Sequence, residues 1–109
     1  ALPARRDAGL PTVQSALMDF YLVSYDIPND RRRTKVASLL QDYGQRVQFS
    51  VFEVWLTQAT QRELLGRLEK LIDAEEDSVR LYWLCAACQK RVIALGQGKP
   101  PEPPGAIIL

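Results

Sequence analysis

Residues 19–27, DFYLVSYDI, are apolar at nearly every position rather than at every second one, and they end on an aspartate followed by proline. A strand with one wet face alternates apolar and polar residues; a continuous β-branched and aromatic run of this length calls for cover on both faces. This stretch is therefore expected to be a central strand. Pro28 and Asn29 end it, because proline bars helix from the residue before it and asparagine suits a turn or a cap. From Asp30 the period changes. Val36, Leu39, Leu40 and Tyr43 recur at i, i+3, i+4 and i+7, the spacing of an amphipathic helix, with Gly44 as its expected C-cap.

The same switch occurs a second time. RVQFSVFEVWL, residues 46–56, is β-rich and too long for one ordinary strand, so we split it near Ser50 into two. Thr60 to Glu63 reads as a capping box that opens a second helix, whose stripe is Leu64, Leu65, Leu68, Leu71 and Ile72. EEDS, residues 75–78, is a turn; VRLYWL, residues 79–84, is a strand, and RVIAL, residues 91–95, another short one. The expected fold is α+β: a β-α-β-β-α-β ferredoxin-like sandwich with an extra C-terminal strand and two helices on one face of an antiparallel sheet.

This places one domain at residues 18–95. Residues 1–17 hold two prolines, a glycine and no clear period, and we read them as an upstream extension or cloning remnant preceding the only methionine, Met18. Residues 96–109 combine a Pro/Gly linker with AIIL, an apolar segment suited to adding a strand to a sheet edge, its own or a partner's. No apolar run approaches the roughly 18 residues that span a bilayer, and no signal-peptide pattern is present, so a cytoplasmic protein without membrane association is expected.

Charge balance excludes little. With 14 cations and 13 acids the net charge is +1, so any anion-binding role must come from local clustering. The chemistry is bounded more tightly. There is no histidine, hence no ordinary neutral-pH general base and no partner for a serine nucleophile. Glycine-rich nucleotide loops are missing as well. Cys85 and Cys88 form a C-x-x-C, but zinc would need two more ligands, and a redox dithiol normally follows a strand and opens a helix. We take them as small buried or turn thiols. What remains is Asp26, a carboxylate able to hold a hard cation, followed by Arg31, Arg32, Arg33 and Lys35. Cations at a helix start are disfavoured by about 0.3–1 kcal/mol each, whereas an anion is welcome there, so the cluster suits a phosphodiester. One carboxylate is a thin metal site. A two-fold homodimer would bring two copies of Asp26 together.

The strand ending Tyr25-Asp26, the basic helix start, the R-V-Q-x-S-V-F-E run and the acidic turn before S-V-R-x-Y together resemble one family over about Met18 to Leu95. It is the small CRISPR-associated protein of the spacer-acquisition machinery, the Cas-two family. The resemblance implies a ferredoxin-like homodimer in which the Asp26 pair holds Mg2+ (or Mn2+) and is catalytic. It also implicates Tyr25, Arg33, Arg46 and Phe52 near the site, with lysine at position 35 where some members carry arginine. Two functions follow from it. One is a metal-dependent endonuclease for single-stranded RNA, or double-stranded DNA in some members. The other is a non-catalytic adaptor that bridges copies of the CRISPR integrase subunit on protospacer DNA, with Arg31, Arg32, Arg33, Lys35 and Arg46 contacting phosphates.

Overall fold

The computed structural model describes residues 18–102. Strand β1 (Asp19–Asp26) leads through Pro28 and Asn29 into helix α1 (Asp30–Gln41). β2 (Gly44–Gln48) and β3 (Val51–Leu56) form a hairpin, α2 (Gln58–Leu71) crosses back, and β4 (Ser78–Leu84) is followed by a one-turn helix, α3 (Ala86–Gln89). The sheet order is β2-β3-β1-β4 and the three pairings are all antiparallel, which is the ferredoxin-like arrangement expected. β1 is central, as its composition requires.

The local signals explain most of the boundaries. Asn29 caps α1: its side-chain oxygen accepts from the Arg32 backbone N–H at 2.9 Å. The capping box that opens α2 lies three residues earlier than expected. Thr57 is the N-cap and Thr60 its N3 partner, with bonds of 3.0 and 2.8 Å in the two directions. A threonine hydroxyl at N3 reaches back as a glutamate would, so T-x-x-T serves where we expected T-x-x-E. Gly44 is not the C-cap of α1. Asp42 is, and Gly44 instead opens β2 at a close crossing of β3.

The core lies between the sheet and α1 and α2. Val23, Tyr25 and Ile27 from the first strand and turn meet Phe52, Val54 and Leu56 of β3, under Val36 and Leu40 of α1 and Leu64 and Leu68 of α2. Each such side chain contributes about 1.5–3 kcal/mol on burial. The opposite face carries Phe20, Leu22, Ser24 and Asp26 of β1 beside Val51, Glu53 and Trp55 of β3. No helix of the described residues longer than one turn is available to cover it. Phe20 is buried there, with its ring centroid 4.9 Å from that of Trp55. Burial also pushes the Glu53 carboxyl above its ordinary range. The central strand thus receives helical cover on one of the two faces for which its sequence calls.

Residues 91–95 form no strand. The strand expected there is replaced by the exit from α3, so the described sheet has four strands. The expectations for residues 1–17 and for the terminal AIIL lie outside the described residues. No helix among the described residues is long and apolar enough to cross a membrane.

Arg32 ties α1 to the turn before β4. Its Nε donates to Asp77 Oδ2 at 2.7 Å, and its Nη2 donates to Asp77 Oδ1 at 3.1 Å and Glu76 Oε1 at 3.0 Å. The Asp77 side chain is fully covered and also accepts from the Asp73 N–H at 2.8 Å. Arg32 holds this carboxyl below the ordinary aspartate value of 3.8. A carboxyl whose proton affinity is lowered by folding stabilises the fold above its unfolded pKa, and that contribution is lost as pH falls through the folded value. Arg32→Ala should therefore lower the melting temperature by several degrees at neutral pH. The gap from wild type should close progressively below pH 4; a gap independent of pH would contradict the pairing.

Candidate nucleic-acid interface at the end of the first strand

Tyr25 and Asp26 are consecutive on β1, so their side chains leave on opposite faces of the sheet. Tyr25 turns into the core beneath the helices. Its hydroxyl donates to the Phe49 carbonyl at 3.2 Å, and its ring centroid lies 6.3 Å from that of Phe52. Asp26 is exposed, opposite Ser78 in register, and its carboxylate meets no hydrogen-bond or ion-pair partner among the described residues. Arg80 of β4, two residues beyond that register position, is a cation on the same face and was not among the expected site residues. It became legible only with the strand pairing.

Arg46 of β2 reaches across the hairpin. Its Nη2 donates to the Tyr25 hydroxyl at 3.4 Å, and its guanidinium lies 5.4 Å from the Phe52 ring centroid and 5.9 Å from that of Phe49. From the other side, the Arg33 guanidinium lies 5.8 Å from the Phe49 centroid. Arg33 also donates to the Ile27 carbonyl at 2.8 Å and the Pro28 carbonyl at 3.3 Å, and pairs with Asp30. Four of the five expected catalytic positions, Tyr25, Arg33, Arg46 and Phe52, are thus linked through Arg46 and residue 49, with the two guanidiniums lying against one aromatic ring. That ring, Phe49, is 71% exposed at the hairpin tip. Sequence reasoning passed over it because a phenylalanine inside a β-rich run reads as core. The irregular register between Arg46 and Gln48 is what shifts the hairpin out of simple alternation.

The basic helix start divides in two. Arg32 is committed to Asp77, which removes it from the expected phosphate contacts: its planar fork is already matched by a covered carboxylate. Arg31 and Lys35 are exposed and have no ion-pair partner among the described residues. The two engaged cations of the helix start are offset by acids: Arg32 by Glu76 and Asp77 of the turn before β4, and Arg33 by Asp30 of its own first turn. No group of three or more metal-binding side chains occurs among the described residues. The unpaired Asp26 carboxylate does fit the one-carboxylate contribution that a magnesium ion accepts when water and phosphate oxygens complete its shell.

These features define a ferredoxin-like α+β protein whose first strand ends in an exposed carboxylate on one face of the sheet and a tyrosine tied to an arginine–aromatic cluster on the other. The chain belongs to the CRISPR associated protein Cas2 family, whose model matches residues 18–92. It is 47% identical over 92 residues, 84% of this chain and 100% of the relative, to the CRISPR-associated endoribonuclease Cas2 3 of Synechocystis sp.. Among solved structures, Streptococcus pyogenes Cas2 is 43% identical with a TM-score of 0.64, over 71% of this chain and 99% of that one. A chain of a partial Cas6-RT-Cas1–Cas2 complex is 34% identical with a TM-score of 0.68, covering 84% of this chain and 99% of its own.

Proposed function

We propose that this chain acts in CRISPR spacer acquisition as a homodimeric, divalent-metal-dependent endonuclease on single-stranded RNA or double-stranded DNA. The observation that carries the proposal is the exposed Asp26 carboxylate, unpaired among the described residues, at the margin of a largely apolar sheet face that no described helix longer than one turn covers. A second copy laid on that face would cover Leu22, Val51 and Trp55 and bring a second Asp26 toward the first. The naming of the Synechocystis relative as an endoribonuclease supports the activity.

Asp26 from each subunit would hold Mg2+ or Mn2+. When bound, such an ion supplies a more acidic water and neutralises charge at phosphorus. Arg33 and Arg46 would grip non-bridging phosphate oxygens, with Tyr25 orienting Arg46 through its hydroxyl. Phe52 supports the underside of Arg46, while the exposed Phe49 ring offers a face for a nucleobase. Arg31 and Lys35 extend the phosphate path without reading sequence.

The adaptor role is the second reading, supported by likeness to a chain of a solved Cas1–Cas2 complex. It needs the same dimer and the same phosphate contacts but no reaction at Asp26. The nuclease reading is tested with a panel of single-stranded RNA and duplex DNA, each with magnesium and with chelator, on protein shown by sedimentation to be dimeric. Cleavage should appear with magnesium and vanish with chelator. Cleavage that ignores the chelator, or a monomer that cuts equally well, would overturn it.

A further inference from the structure

Cys85 and Cys88, expected to be small buried or turn thiols, are not buried. Cys85 is half-buried at the end of β4 and caps α3, while Cys88 is exposed one turn on. The strand expected after them is missing, so the pair does follow a strand and open a helix. Their sulfurs lie 3.3 Å apart in hydrogen-bond contact, and the Cys88 backbone N–H donates to Cys85 Sγ at 3.4 Å. A disulfide needs about 2.05 Å between sulfurs, a closure of roughly 1.3 Å from this arrangement.

We propose that Cys85 and Cys88 form a reactive dithiol that is oxidised to an intrachain disulfide by low-molecular-weight disulfides, with Cys85 as the attacking sulfur and Cys88 as the resolving one. The Cys85 thiolate attacks one sulfur of the small disulfide. The S–S bond breaks, and the departing thiolate takes a proton, leaving a mixed disulfide on Cys85. Deprotonated Cys88 then attacks Cys85 Sγ and expels the second small thiol. The protein dithiol loses two electrons and two protons; the small disulfide gains both and becomes two thiols.

The order of attack follows from the surroundings. The Cys88 backbone N–H and then its side chain stabilise a thiolate on Cys85, lowering its pKa, while contact with Cys85 raises that of Cys88. The pair sits where the chain leaves the sheet. Gln89 N–H donates to the Cys85 carbonyl and Arg91 N–H to the Cys88 carbonyl, both at 2.9 Å, so a bridge here would staple the first turn of the exit segment. None of the arginine–aromatic cluster is on this turn.

The test uses the full chain in mixtures of reduced and oxidised glutathione, quenched with acid and read by intact mass and thiol alkylation. Wild type should lose the mass of two hydrogens and both alkylatable thiols, with no lasting adduct. Cys88→Ser should keep one glutathione on Cys85, and should acquire it several-fold faster at neutral pH than Cys85→Ser acquires one on Cys88. Circular dichroism of the two variants confirms that the sheet is retained. Stable adducts on wild type, equal rates for the two serine variants, chains joined to one another, or thiols that stay free in oxidising mixtures would each overturn the proposal.

Discussion

Asp26→Asn is expected to reduce divalent-dependent cleavage by about a hundredfold while leaving the fold intact. Asparagine keeps the shape and the backbone pairing with Ser78 but removes the charge that would hold a hard cation. A metal-bound water and neutralised phosphate are worth several kcal/mol in the transition state; losing about 3 of these gives about two powers of ten in rate. Because the side chain is exposed and unpaired, stability should change by no more than about 0.5 kcal/mol. The comparison is cleavage rate against urea midpoint for the same preparation. Unchanged cleavage would remove the nuclease assignment and leave the adaptor reading in place; retained spacer acquisition alongside lost cleavage would separate the two roles.

Gly44→Ala should have the largest effect on the fold. Gly44 crosses β3 opposite Val54, and a Cβ added there would lie 1.9 Å from the Glu53 carbonyl oxygen and 2.6 Å from the Val54 Cα. Both neighbours are backbone of a strand paired on both sides, so neither can rotate away as a side chain would. The hairpin must open or β2 must slip, at a cost of about 3 kcal/mol. Slippage would also carry Arg46 and Phe49 away from Tyr25, so phosphate binding should weaken together with the urea midpoint. A midpoint equal to wild type would show that β2 does not approach β3 this closely. Glycine at a helix end usually signals a left-handed cap, which is how position 44 reads in sequence; its actual constraint is a contact between strands.

The two apolar periods, the Pro28-Asn29 break and the hairpin split near Ser50 were enough to derive the βαββαβ order, because hydrophobic spacing and turn chemistry are local properties of the chain. Asp26 and the neighbouring arginines could be picked out the same way, as residue types whose chemistry is rare at those positions. Partner choice could not. Whether an arginine in the 31–33 run faces a ligand or a covered carboxylate depends on Asp77, 45 residues from Arg32, and only the packing of α1 beside the turn before β4 brings them together. Phe49 and Phe52 differ by three positions in one β-rich run, yet the first lies exposed in the turn between β2 and β3 while the second is buried on β3. The C-x-x-C changed meaning because the chain after it leaves the sheet instead of pairing with it. Local pattern thus determined which elements form and which residues carry chemistry, while long-range contacts decided which of those residues remain free to use it.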